Sequence, residues 1–156
     1  MKIGVLSDTH DNIPKIKKAV AFFNKEKVDL VLHAGDYIAP FSLSPLEKLN
    51  CPYQGTLGNN DGEKEGLLVK SKNRIKPVVL ELNLAGKKIA VSHDRDKLNA
   101  RKKYDLVIFG HSHHPEITKS KHTLFVNPGE CGGWLTGKST VAIVELSDLS
   151  AKICLL

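Results

Sequence analysis

Disulfide and thiolate-metal patterns are missing from this sequence. Its three cysteines, Cys51, Cys131 and Cys154, are odd in number, far apart and without a CxxC pair. That excludes a disulfide framework and a thiolate zinc site and leaves them as packing residues. Also missing is any apolar run near the ~18 residues a membrane span needs, so no membrane partner is expected. The opening stretch MKIGVLSDTH turns polar after six residues, short of the roughly 7 to 15 apolar residues of a secretory signal; a cytoplasmic location is expected. No Gly/Ser linker or low-complexity segment divides the 156 residues, so residues 1–156 are expected to form one domain. The lysine runs KIKK, GKK and RKK, which carry much of the net charge of +6, have no aromatics between them. A solvated basic face is expected rather than a nucleic-acid surface, although such a field still attracts phosphate-bearing substrates.

What is present has an α/β grammar. KIGVLS reads as a buried strand. Asn12 then caps a helix with apolar residues at Ile13, Ile16, Val20 and Phe23 on one face. VDLVLHAGD is a second strand, Ser44-Pro45 predicts a short second helix, and CPYQGTLG a third strand. This β-α-β-α-β order argues for a mostly parallel sheet with covering helices. Further on, PVVLELNLAGKKIAVS predicts a hairpin with an Ala-Gly turn, and DRDKLNARKKY a polar helix. DLVIFG, HTLFVNPG and STVAIVELSDLSAKICLL predict further strands with more antiparallel pairing.

Chemistry gathers where these strands stop. IGVLS runs into Asp8-Thr9-His10, LVLHAG into Asp36, GTL into Gly58-Asn59-Asn60-Asp61, KIAVS into His93, and LVIF into Gly110-His111-Ser112-His113. In open α/β sheets the functional crevice lies beyond the carboxyl ends of strands, where residues distant in sequence meet. Each element alone is weak, since Asp caps helices and Gly-Asp turns are common; the conjunction points to one shared site. Imidazole mixed with carboxylate and amide oxygen suits Mn²⁺, Fe²⁺, Ni²⁺, Co²⁺ or Zn²⁺ better than Mg²⁺ or Ca²⁺. The seven candidate ligands exceed the four a tetrahedral ion takes, and two ions sharing a bridging carboxylate would use them all.

The order DxH, GD, GN, H, GHxH resembles that of the calcineurin-like metallophosphoesterases, and the short chain is similar to their small single-domain phosphodiesterase branch. The resemblance spans Met1 to about Gly129 and takes in the NPG of Asn127 to Gly129. It implies an α/β four-layer sandwich, two mixed β-sheets face to face with helices outside. It also implies a binuclear centre at the strand ends, with manganese the first choice of metal and nickel, iron, cobalt or zinc the others. Carried over by position, it assigns Asp8, His10, Asp36 and His113 to one ion and Asn59, His93 and His111 to the other, with Asp36 bridging. The implied activity is hydrolysis of small phosphate esters, most of all phosphodiesters, by a hydroxide between the two ions, in a monomer or small homo-oligomer. Two alternatives accompany it: a non-catalytic protein-binding scaffold on the same fold, and a nuclease drawing on the basic charge.

Two positions depart from the family pattern. Larger members read GNH, whose histidine assists the leaving group; here Asn60 takes that place in GNND. Glu130 in NPGE stands where the branch more often has serine, and as a carboxylate near a phosphate pocket it is expected to point away. Among the remaining histidines, His33 is expected to orient Asp36 or to pack, and His114 to contact substrate or stand by. Asp11 and Asp94 are expected either to support His10 and His93 or to cap. His122 and Trp134 carry no signal.

Overall fold

The computed structural model describes residues 1–156. The chain forms two mixed sheets. The first runs β11 (Ser150–Leu155), β10 (Thr140–Glu145), β1 (Lys2–Leu6), β2 (Leu30–His33), β3 (Tyr53–Thr56), β4 (Ile75–Lys76). In it β1 to β4 are mutually parallel, and β10 is antiparallel to both β1 and β11. The second runs β5 (Val79–Leu84), β6 (Lys87–Ser92), β7 (Leu106–Ile108), β9 (Thr123–Asn127), β8 (Glu116–Ser120). There β6, β7 and β9 are parallel, flanked by antiparallel β5 and β8.

Alternation along the strands builds two cores. Ile3 and Val5 of β1 and Leu30 and Leu32 of β2 point between the sheets, where they meet Ile89, Val91, Leu106, Ile108, Leu124 and Val126. The intervening residues of β1 and β2 face α1 (Ile13–Glu26), which buries Ile16, Ala19, Val20 and Phe23. Gly4 lies under that helix: a Cβ there would fall 2.7 Å from Phe23. The helix starts where its cap predicts, with Asn12 Oδ1 accepting the Lys15 N–H at 3.3 Å. The Ala85-Gly86 turn joins β5 to β6 with φ of 48° and 74°, the left-handed pair that a tight hairpin needs.

Three elements differ from expectation. The helix predicted at Ser44-Pro45 is two single 3₁₀ turns, Pro40–Leu43 and Leu46–Lys48, because Pro45 has no N–H to continue the first turn. DRDKLNARKKY forms only a 3₁₀ turn at Arg95–Lys97. It has no apolar face, and the side chains of Asp94 and Asn99 take the N–H groups of Asp96 and Arg101. Conversely, α2 (Lys64–Lys70) forms in a stretch too short and too glycine-broken to show a period. Both α-helices lie on the six-stranded sheet; the other sheet's outer face is crossed by the segment carrying Arg95, whose guanidinium sits 4.3 Å from the Phe125 ring.

Candidate metal centre

The carboxyl ends of β1, β2 and β3 from one sheet and of β6, β7 and β9 from the other open onto the same crevice. Asp8 follows β1, Asp36 follows β2 and Asn59 follows β3; His93 follows β6, and His111 and His113 follow β7. The seven side chains fall into two groups that meet at one atom. Asp8 Oδ1 lies 3.5 Å from His113 Nε2 and 3.8 Å from His10 Nε2. Asn59 Oδ1 lies 2.8 Å from His93 Nε2 and 2.9 Å from His111 Nδ1. Asp36 Oδ2 stands between the groups, 3.5 Å from His10 Nε2 and 3.4 Å from His93 Nε2.

Holding the groups so close requires unusual backbone. Asp8, His10, Asp36, His111 and His113 all have positive φ, between 41° and 71°. For residues with a Cβ this region is sparsely populated, and such residues cluster at functional sites. Glycines make the close approaches: a Cβ at Gly58 would fall 2.1 Å from Asp36 Oδ1, and one at Gly110 2.7 Å from Asp8 Oδ2. Neighbours brace the ligand loops. Asn60 holds both oxygens of Asp36, through its backbone N–H at 2.9 Å and its Nδ2 at 2.8 Å. Buried Asp61 accepts the N–H groups of Gly58 and Ile38, both at 2.7 Å. Asn127 Nδ2 donates to the Gly110 carbonyl at 2.9 Å, tying the NPG loop to GHSH.

The donor set fits cations. Buried Asp8 Oδ1 and His10 Nε2 have no hydrogen-bond partner, which costs free energy unless something charged lies between them. His93 Nδ1 is 2.8 Å from the Ala34 carbonyl; donating there, a neutral ring turns the Nε2 lone pair on the oxygens of Asn59 and Asp36. Acceptor facing acceptor is the arrangement a divalent ion resolves. Two subsets, Asp8-His10-His113 and Asp8-Asp36-His93, each keep their ligand atoms within 4.8 Å of one another. The charges are mutually tuned. Burial pushes the Asp8 carboxyl up, but His10, Ser7 and the nearby imidazoles outweigh it and hold it below the usual range. The Asp8 carboxylate, against burial and with help from Asp36 and Glu130, raises His10.

The supporting residues divide. His33 is fully buried, stacked at 3.7 Å on Tyr37, and burial lowers its pKa to about 3. Its Nδ1 accepts the Gly35 N–H, so its Nε2 donates to Thr9 Oγ1, which donates to the Asp36 carbonyl; it orients the Asp36 loop. Asp11 and Asp94 act on backbone, the first accepting the Ala39 N–H at 3.2 Å and the second capping Asp96. The His114 ring is turned to the Ser112 carbonyl at 2.6 Å, in a cleft beside the site. His122 lies on the exposed β8–β9 turn.

Glu130 is held by the loop that follows it. Its carboxylate does not turn to solvent: it is buried, and it gathers the N–H groups of Trp134, Leu135 and Thr136. Burial alone would raise its pKa, but these donors and the Thr136 hydroxyl bring it below the usual range. One oxygen lies 3.4 Å from His113 Nδ1, so it stands behind a candidate ligand rather than in the phosphate pocket. Trp134, silent in sequence, donates its Nε1–H to the His10 carbonyl at 3.1 Å. A tie to a backbone carbonyl leaves no sequence signal.

The family model of the calcineurin-like phosphoesterase superfamily domain matches residues 1–149. The chain belongs to this family. It is 38% identical over 154 residues to a phosphodiesterase of Methanocaldococcus jannaschii, covering 93% of both chains. It superposes on the solved structure of an archaeal phosphodiesterase with a TM-score of 0.92 and 35% identity, each chain covered completely. A phosphoesterase from Escherichia coli shares the fold at a TM-score of 0.73 and 18% identity, with 99% of this chain and 98% of that one covered. The expected two-sheet fold is therefore borne out, with its helices on one sheet only. The family's chemistry uses divalent metal ions, which agrees with the Asp/His cluster. No helix is long and apolar enough to cross a membrane.

Proposed function

We propose that this chain is a binuclear metal-dependent phosphodiesterase, one domain over residues 1–156, acting on small phosphate esters. The observation that carries the reading is the pair of donor groups meeting at Asp36 Oδ2, with unpartnered buried atoms on Asp8 and His10 facing the gap. Asp8, His10, Asp36 and His113 would hold one ion; Asn59, His93 and His111, with Asp36 shared, the other. Bound divalent ions supply Lewis acidity, which ionises water near neutral pH and offsets charge on phosphoryl oxygens. Mixed nitrogen and oxygen donors suit manganese, nickel, iron, cobalt or zinc, and the family resemblance puts manganese first.

The chain's own groups orient. Asn60 fixes the Asp36 carboxylate in the plane of its two contacts, and Glu130 stands against the far side of the His113 ring. No Ser/His/Asp or Cys/His arrangement lines the crevice, so water is the nucleophile and no phosphoenzyme forms. The phosphodiesterase relative in Methanocaldococcus jannaschii supports the diester preference. A monomer or small homo-oligomer in the cytoplasm, without obligate nucleic acid, completes the reading.

The test is hydrolysis of bis(p-nitrophenyl) phosphate and p-nitrophenyl phosphate across a panel of divalent ions, with metal counted by mass spectrometry. We expect two ions per chain and faster turnover of the diester. Two bound ions without hydrolysis would favour the scaffold alternative; one ion or none under replete conditions would defeat the assignment of ligands.

A further inference from the structure

Next to the candidate metal centre lies a cleft with an apolar side. Trp134 is 65% exposed and Leu135 78% exposed, although both are large apolar residues. Together with Ile38 they line an opening shared with His10, His113, Asn60 and the edge of Glu130. These residues are held in place. The Trp134 indole is tied by its Nε1–H to the His10 carbonyl at 3.1 Å, its backbone N–H to Glu130 at 2.8 Å, and its Cδ1 edge lies over Gly132, where a Cβ would come within 3.2 Å. Ile38 has φ of 85°, a conformation that a β-branched residue adopts only when its surroundings enforce it, and Asp61 grips its N–H at 2.7 Å. An indole fixed in orientation and left open to water has already lost its rotamer freedom, so a ring stacking on it gains contact at little further ordering cost.

We propose that Trp134, flanked by Leu135 and Ile38, is a stacking shelf that selects phosphoesters whose ester arm carries a planar aromatic ring. The proposal rests on the phosphoesterase reading above and adds the substrate class. The phosphoryl group would sit against the Asp/His cluster while the ring lies on the indole. The neighbouring cleft on the other side of His113, bordered by His114, Pro115, Leu135 and Lys138, is left for the second arm of a diester. Ring stacking makes Trp134 a specificity residue, and its contribution appears in affinity for the ring rather than in the rate of the chemical step.

Trp134 is the chain's single tryptophan, so its fluorescence reports the shelf directly. With the manganese-loaded protein, phenylphosphonate should change Trp134 emission and methylphosphonate should not. As inhibitors of bis(p-nitrophenyl) phosphate hydrolysis, the phenyl compound should bind about tenfold tighter than the methyl one, the scale of stacking on one aromatic side chain. Trp134→Leu, which stays apolar, should bring that ratio close to one, and Trp134→Phe should restore most of it. Should Trp134→Leu fail to fold, the parent's fluorescence and the Trp134→Phe ratio still decide. Equal emission changes from both phosphonates, or an unaltered ratio in Trp134→Leu, overturns the shelf while hydrolysis by the parent keeps the phosphoesterase reading intact. Absence of both hydrolysis and phosphonate binding in the parent overturns both.

Discussion

Asn60 shows how one residue can alter chemistry without being a metal ligand itself. Where the family resemblance implies a histidine acid in larger members, this chain places an amide that donates to Asp36. An amide gives no proton of useful acidity, and general acid help is typically worth about 10² to 10⁴ in rate. Rates for a series of aryl and alkyl diesters should therefore fall steeply with leaving-group pKa. Asn60→His should flatten the slope, and His114→Ala should leave it steep; a flat series in the parent would mean that another acid serves the site. His33 carries a second prediction. Burial holds its pKa at about 3 against an ordinary 6.5, so between those values the unfolded chain binds a proton that the folded chain refuses. Stability from this residue is full above pH 6.5 and drains as pH falls towards 3, by up to about 1.4 kcal/mol per unit. Urea midpoints measured with chelator from pH 6.5 to 4 should decline less steeply in His33→Gln than in the parent; parallel declines would refute the assignment.

At the scale of elements, α1 links the core to the site. Asn12 caps the helix through its Oδ1 while its Nδ2 donates to the Gly132 carbonyl at 2.7 Å, beneath Trp134. Asn12→Ala should cost about 1 kcal/mol for the cap alone, and more for the orphaned carbonyl. Asp is as good a cap as Asn in isolated helices, yet Asn12→Asp should recover no stability, because its carboxylate would face the Gly132 oxygen. Chemical denaturation of the three proteins checks this, and a wild-type-like Asn12→Asp would dismiss the link. The helix itself was readable from cap and period, and so were the strand ends, because each apolar run stops on Asp, Asn or His. Pairing was not: β10 lies beside β1 from the far end of the chain, a choice made by the two cores and not by local pattern. The polar stretch after His93 looked helical only by propensity, which side-chain bonds from Asp94 and Asn99 override. Where Glu130 turns was not readable either, because most of its partners are backbone N–H groups, and no residue type announces those.

For the whole molecule the question is what ions would add to a fold that already has a continuous core. Asp8, Asp36 and Asn59 hang from one sheet and His93, His111 and His113 from the other, so ligation would clamp the two sheets at their carboxyl ends. The apolar contact between the sheets, from Ile3 and Val5 to Leu124 and Val126, does not depend on that clamp. The metal-free chain should therefore fold, unlike small domains whose core is the metal site. Each ion that binds the folded state alone adds about 2.7 kcal/mol at a free concentration 100 times its Kd. For a domain of this size, about 2 to 4 °C per kcal/mol translates that into a rise in Tm of roughly 5 to 11 °C per ion. Manganese should produce this rise, EDTA should reverse it, and Asp36→Asn should lose most of it because both donor groups share that carboxylate. Asp94→Asn, which changes a charge near His93 but only a turn cap, should keep it. A Tm indifferent to manganese, or one that rises equally in Asp36→Asn, would place any bound ion somewhere other than between the two sheets.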